Sequence, residues 1–303
     1  MTALLKKLLL FLLPLLLLLV LWPIDARWRF QGLKDDCFNH GIWIYDRIHS
    51  HPKPIDLVFL GSSRTLNGIN DQLISSQWGD REAVNLAYCR FGRNLTFVLL
   101  KEVLAERKIE TLVVEVRETE DRYSHPVFPF MASTKDVLLP NPIFNKQVVS
   151  DMWVHLAYKV ELLQDQLYRQ ESAVVLQTEA YGFASPADTA DPALLEEARQ
   201  RRLQPKVPIS DTEYNFHMQF PRRYLQKVGE LCKANNIRLV FLYLPAYGDP
   251  RRLPTEYNTY LQYGQVLLPP DTVLMPPAHW CDENHLNQTG AVALSNWLAI
   301  ALR

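Results

Sequence analysis

Two short stretches hold the side chains best suited to covalent chemistry. Gly61-Ser62-Ser63 closes the apolar run Ile55–Leu60, and Asp282 stands three residues before His285. A serine hydroxyl attacks a carbonyl readily only when a base takes its proton. Imidazole is the natural base near neutral pH, and a carboxylate nearby on a turn can hold its tautomer. Each stretch also has an ordinary reading. Gly-Ser-Ser is common in loops, and Asn287 or Thr289 could cap a following helix while Asp282 and His285 face solvent. His279, Asp282 and His285 also have the types and spacing of metal ligands, although two of the three are already accounted for by the serine chemistry. The serine reading requires positions about 220 residues apart in sequence to meet in space.

The intervening elements decide whether they can. Short, β-branched apolar runs recur at Ile55–Leu60, Ala83–Ala87, Thr111–Val116, Arg238–Leu244 and Thr272–Met275. Their length and near-continuous apolarity suit strands buried on both faces of a parallel sheet. Helical spacing marks Leu95–Lys108, Gln147–Arg169, Pro192–Arg202, Arg222–Asn235 and Gly290–Leu302. The alternation predicts an α/β sandwich with about five parallel strands. Ligands in such sheets bind at the carboxyl ends of strands, which is where Ser63 falls. The connection from Arg117 to Ile237, about 120 residues, is too long for one crossover helix and reads as an insertion, at about 121–215. Residues 25–54 read as a helical lead-in, with Phe38–His49 amphipathic, and 55–303 as one α/β domain carrying that insertion.

A strand followed by Gly-x-Ser near the start, with Asp-x-x-His-Leu-Asn-x-x-Gly before the last helix, resembles the SGNH (GDSL-like) hydrolase family. The resemblance implies a flavodoxin-like three-layer α/β/α sandwich. It implies Ser63 as nucleophile, His285 as base and Asp282 as its partner, with Ser62 in the place of the usual aspartate. It also implies an oxyanion site. There Gly92, after the second strand, is the candidate glycine, with Arg90 and Cys89 adjacent. The family's asparagine after the third strand has no counterpart, because the sequence reads Arg117-Glu118-Thr119-Glu120-Asp121. Loss of one such donor costs roughly 3 kcal/mol of transition-state stabilisation, so either Arg117, Asn94 or Asn67 replaces it, or the enzyme is slow, or the site binds without turnover. The Gly-Ser-Ser form looks more like an exported, membrane-anchored branch that includes teichoic-acid D-alanyl transfer and alginate O-acetylation proteins. That branch implies an acylated cell-envelope glycan or small acyl ester as substrate and a membrane-bound O-acyltransferase as partner. No cofactor is implied. The family fold would also bring Cys89 near Cys281, making that disulfide an option beside free thiols.

Composition narrows the rest. Across 303 residues the formal net charge is -1 and 48% of residues are hydrophobic, which excludes a disordered chain and gives no basic stripe for nucleic acid. Residues 8–22 are uncharged and hold eleven leucines, behind Lys6 and Lys7. From residue 4 to 24 the stretch is just long enough to span a bilayer, with the lysines on the cytoplasmic side. This predicts a single-pass anchor in the cell inner membrane with residues 25–303 on the periplasmic or extracellular side. A cleaved signal peptide is the rival reading, opposed by the bulky Trp22-Pro23-Ile24-Asp25. Export would permit disulfides among the four cysteines, which allow three complete pairings. Arg64, Arg90, Arg93 and Arg117 all fall at or beyond predicted strand ends. They could bind an anionic substrate, or be solvated loop residues. A non-catalytic glycan-binding or assembly protein on the same fold is the alternative function.

Overall fold

Alternate residues of the apolar runs face opposite sides of one sheet, and the helices divide accordingly. The protein is described by a computed structural model over residues 2–22, 25–33, 36–37, 40–120, 122–138, 145–168, 182–205 and 209–303. Five strands, β1 (Leu57–Leu60), β2 (Ala83–Asn85), β3 (Thr111–Val116), β4 (Arg238–Tyr243) and β5 (Gln265–Leu267), form a parallel sheet in the order β2-β1-β3-β4-β5. Leu57, Phe59, Val113, Val240 and Leu242 point to one face, where they meet Ile74 of helix Asp71–Trp78 and Leu294 and Leu298 of helix Gln288–Ala301. Val58, Leu60, Leu112, Val114 and Phe241 point to the other, against helices Arg93–Glu106 and Asp211–Ala234. The result is the expected α/β sandwich, with the order reversal between β1 and β3 opening a crevice at their carboxyl ends.

The last strand departs from expectation. Thr272–Met275 is not a strand; Asp271–Leu274 is a single helical turn behind Pro270, and β5 lies at Gln265–Leu267. As an edge strand, β5 fully buries only Leu267, so it has no continuous apolar run to be recognised by. Helix Asp211–Ala234 begins a full eleven residues before the expected Arg222, capped by the Ser210 hydroxyl and passing through Pro221. Helices Ser63–Gly68 and Asp71–Trp78 were not marked by the sequence pattern, being short and polar on their outer faces.

The lead-in is part of the core rather than an appendage. Helix His40–His49 buries Trp43, Ile44 and Ile48 against the sheet's second face; Phe38 and Asn39, expected to begin it, lie outside the described residues. Arg47 bonds the carbonyls of Lys53 and Pro54 and pairs with Glu82, fixing the approach to β1. Cys37 is bonded to Cys89 in the loop after β2. Cys89 therefore does not pair with Cys281, which is a free thiol.

The expected span of residues 4–24 lacks structural support. Among the described residues no helix is long and apolar enough to cross a membrane. The helix holding the leucines is Thr2–Leu21, with Lys6 and Lys7 inside it. Its uncharged part, residues 8–21, rises roughly 21 Å against the ~30 Å of a bilayer core.

The insertion, between β3 and β4, contributes helix Val148–Tyr168 and helix Pro192–Leu203. Its return segment, from Gly182 to Ala190, is stitched to the sheet domain. The N–H groups of Gly182 and Phe183 bond the buried Asp71 carboxylate, and Ala184 N–H bonds Leu66 O. Gln288 N–H bonds Pro186 O, and Ala190 N–H bonds Trp280 O. Any side chain at 182 would strike Asn85 O, since a Cβ there would lie 1.9 Å from it.

The disulfide closes a separation of 52 residues, which in the chain-entropy treatment is worth about 4 kcal/mol. Urea unfolding of Cys37→Ser/Cys89→Ser should show a loss of about that size, and wild type under reductant should match it. An unchanged midpoint in both would mean the bond does not constrain the chain.

Candidate active site

The carboxyl end of β1 turns sharply at Gly61, and Ser62 caps the helix Ser63–Gly68 by accepting the Arg64 N–H at 3.1 Å. Ser63 is therefore the first helical residue, held half-exposed at the sheet rim. The turn exists only because position 61 lacks a side chain: a Cβ there would lie 2.2 Å from Thr65 Oγ1 and 2.6 Å from Glu115 Oε2.

Glu115 lies beneath this turn. It is the one charged residue of β3, and it is buried. Its carboxylate accepts the Ser62 N–H at 2.8 Å, the Ser62 hydroxyl at 2.8 Å, the Thr65 N–H at 3.2 Å and the Thr65 hydroxyl at 2.6 Å. Arg117 Nε closes the set at 2.6 Å. Burial opposes the charge, but the Arg117 guanidinium and these hydrogen bonds outweigh it and hold the carboxyl at about 2. Sequence reasoning missed Glu115, although a glutamate within Thr-Leu-Val-Val-Glu-Val was a usable signal.

The second half of the site is the loop before the final helix. An antiparallel bridge between Trp280 and Leu286, with Cys281 N–H on His285 O at 3.0 Å, closes the loop. Asn287 caps the final helix through Gly290 N–H at 3.0 Å, so the capping reading holds alongside the chemical one. His285 Nε2 lies 2.8 Å from Ser63 Oγ, and His285 Nδ1 lies 2.8 Å from Asp282 Oδ2. With Nδ1–H donated to the carboxylate, Nε2 is the acceptor for the Ser63 hydroxyl. Partial burial works against the Asp282 charge. Hydrogen bonds from the His285 ring and from the Asn284 and His285 N–H groups nonetheless keep its carboxyl below the ordinary range. His279 turns instead to Val273 O at 2.8 Å, away from a shared metal position. Among the described residues no cluster of three such side chains is placed to hold a metal. Cys281 donates to His285 O, and burial together with the Asp282 charge pushes its thiol up to about 11.

The arginines do not form the free positive mouth considered above; each meets a carboxylate. Arg117 pairs with Glu115, Arg64 with Glu118, Arg93 with Glu120 and Arg90 with Asp36. The stretch after β3 that lacks the family asparagine thus supplies two of these partners, Glu118 and Glu120. Arg64 also bonds Leu244 O at 2.8 Å and Asn284 Oδ1 at 3.1 Å, which links the nucleophile helix to the loop of His285. Arg93 and Arg117 both stack on Phe91, at 5.2 and 4.5 Å from the ring centre, and pin the loop that carries Gly92. Gly92 shares a cavity of about 10 Å³ with Gly61 and backs onto His125. His125 donates Nε2–H to Cys89 O at 2.8 Å and accepts Val127 N–H on Nδ1, and burial lowers its pKa to about 4. Asn94 is engaged with Ser124 Oγ and His125 N–H, so it does not replace the missing asparagine. Asn67 is half-buried on the nucleophile helix. Arg117 is the remaining candidate of the three: its guanidinium reaches Ser62 Oγ and keeps part of its surface open to solvent.

No protein family and no curated protein matches the chain. Among solved structures, one from Streptococcus pneumonia, described provisionally as a platelet activating factor, is similar. It is 13% identical with a TM-score of 0.33, over 90% of this chain and 97% of that one. A likeness that distant carries no weight for the fold or the site, which rest on the geometry above.

Because the Glu115 carboxyl is held at about 2 against an ordinary 4.5, its contribution is complete above pH 4.5 and is lost as pH falls towards 2. The loss amounts to about 3 kcal/mol. Thermal unfolding from pH 6 to pH 2 should fall more steeply for wild type than for Glu115→Gln, with Glu115→Gln the less stable at pH 6. Parallel curves would remove Glu115 from this role.

Proposed function

We propose that the chain is an extracytoplasmic serine esterase or O-acyltransferase acting on acyl esters. The observation that carries this reading is the hydrogen-bonded line from Ser63 through His285 to Asp282, with both links at 2.8 Å. Ser63 Oγ attacks the acyl carbonyl carbon while His285 Nε2 takes the hydroxyl proton. The tetrahedral adduct collapses, the C–O bond to the leaving alcohol breaks, and His285 returns its proton to that oxygen. Water or a sugar hydroxyl then attacks the acyl-enzyme, losing its proton to His285, and the acyl C–Oγ bond breaks as His285 returns that proton to Ser63 Oγ. Asp282 holds the imidazole tautomer and stabilises the cation formed at each step.

Arg117 supplies the positive charge where the family carries an asparagine, beside the N-terminus of the Ser63 helix and the Gly92 loop. The ester substrate is an acylated cell-envelope or secreted glycan or a small acyl ester, and a membrane-bound O-acyltransferase is the partner suggested by the resemblance. The Cys37–Cys89 bond suits an oxidising compartment beyond the inner membrane. The exposed leucines of helix Thr2–Leu21 suit a membrane surface with Lys6 and Lys7 at its cytoplasmic edge.

A non-catalytic binding protein is the second reading, favoured by the carboxylates that stand where the asparagine donor is expected. Fluorophosphonate labelling of the full chain distinguishes the two. Wild type should label and hydrolyse p-nitrophenyl acetate, and Ser63→Ala should lose roughly ten-thousand-fold in kcat. Equal labelling of both would remove Ser63 as nucleophile, and no labelling of either would favour the binding protein. Arg117→Met should lower kcat on the order of a hundredfold with a smaller change in KM. An unchanged kcat would exclude Arg117 from the oxyanion site.

A further inference from the structure

The carboxyl ends of β4 and β5 border a groove that the triad does not use. It has a volume of about 530 Å³, within the range of small-molecule sites. Leu203, Leu253, Leu268 and Met275 are exposed to between 36% and 48% of their surface, and all four line this one groove. Large apolar side chains left open on a surface cost free energy, and their convergence marks a recognition site rather than scatter.

Prolines form part of the walls between them. Pro250, Pro269 and Pro270 contribute backbone with no N–H to offer. The charged groups at the rim are satisfied by one another. Arg251 bonds Asp249 at 2.7 Å, and Arg252 bonds both oxygens of Asp271 at 2.7 and 2.8 Å. Arg199 pairs with Glu196 on its own helix, and the surface left between these ion pairs is mostly hydrocarbon.

It is also continuous with the chemistry. A pocket of about 10 Å³, lined by Arg64, Asn284, Leu244 and Trp280, shares Pro245 and Leu274 with the groove. Arg64 and Asn284 adjoin Ser63 and His285 in the chain and bond each other at 3.1 Å. The groove therefore adjoins the residues that flank the triad in the chain, along the edge where substrates of α/β sheets bind.

We infer that this groove holds the hydrocarbon chain of the acyl group that Ser63 accepts, so the preferred substrate is a straight-chain ester longer than acetate. The inference rests on the esterase reading for the chemistry, but not for the binding. Leu253 and Met275 are the residues that grip the chain, because both line the groove half-exposed and can be changed without opening the core.

Two measurements on the full chain separate this inference from the esterase reading. For catalysis, kcat/KM is compared for p-nitrophenyl acetate and p-nitrophenyl decanoate. Wild type should prefer decanoate by at least about tenfold, and Leu253→Gln/Met275→Gln should lose most of that ratio. Ile300→Gln, at an exposed apolar residue of the final helix outside the groove, should keep it. For binding, dansyl-undecanoic acid is titrated into Ser63→Ala, and adding the two groove substitutions should weaken its Kd by on the order of tenfold. A flat or acetate-favouring profile in an active enzyme overturns the inference and leaves the esterase reading standing. A decanoate preference untouched by the double substitution overturns it as well. Inactivity on every ester, with probe binding still sensitive to the groove substitutions, sinks the esterase reading and keeps the groove as a fatty-chain site. Failure of the probe to bind removes the groove in every case.

Discussion

A single ionised carboxylate sealed beneath the nucleophile turn is the interaction on which the site depends. Isolated in a protein interior, such a charge is prohibitively unfavourable, so it persists only when donors surround it. The donors around Glu115 come from Ser62, Thr65 and Arg117. Those residues belong to two segments only, the turn after β1 and the end of β3. Satisfying the charge therefore fixes the height and tilt of the turn over the sheet. Gly61 follows from the same requirement, because the carboxylate occupies the space a side chain would take. Beside Ser63, the Ser62 hydroxyl donates into this buried glutamate while accepting the Arg64 N–H.

The base is positioned by a separate set of contacts. Arg201 and Arg202 of the insertion helix pair with Glu283, and Tyr247 N–H bonds the Glu283 carbonyl. Arg64 then reaches across from the nucleophile helix to Asn284 and Glu118. The Ser63–His285 distance is thus set by a guanidinium that touches neither atom. This gives the insertion a structural part in the site, even though it supplies no member of the triad. Pairing every arginine also leaves the rim close to electroneutral, which suits an uncharged ester better than an anionic one.

Strands β1 to β4 were legible in sequence because burial on both faces writes an unbroken apolar run. β5 was not, since it fully buries only Leu267 and leaves no such run. Ser63, Asp282 and His285 were legible because each lies in a local pattern tied to a strand end or a helix start. The arginine partners were not, because Glu118, Glu120 and Asp36 are chosen by folding and by no spacing rule. The disulfide could not be read for the same reason: Cys37 reaches Cys89 only once the lead-in packs on the sheet. The leucine run was legible as an apolar helix, Thr2–Leu21, which also takes in Lys6 and Lys7.

The stitching of the return segment bears on when the protein becomes competent during synthesis. β1, β2 and β3 are all present once residue 116 has been made, yet β4 begins at Arg238. The anchor points of the return segment include Trp280 and Gln288, which are made later still. At ribosomal speeds of about 5–20 residues per second, the serine waits roughly ten to forty seconds for its histidine. During that interval the half-built sheet has an open β3 edge, and Ser63 has no imidazole beside it. Assembly of the last elements supplies the missing edge, the clasp on the insertion and the base together, which ties reactivity to completion of the fold.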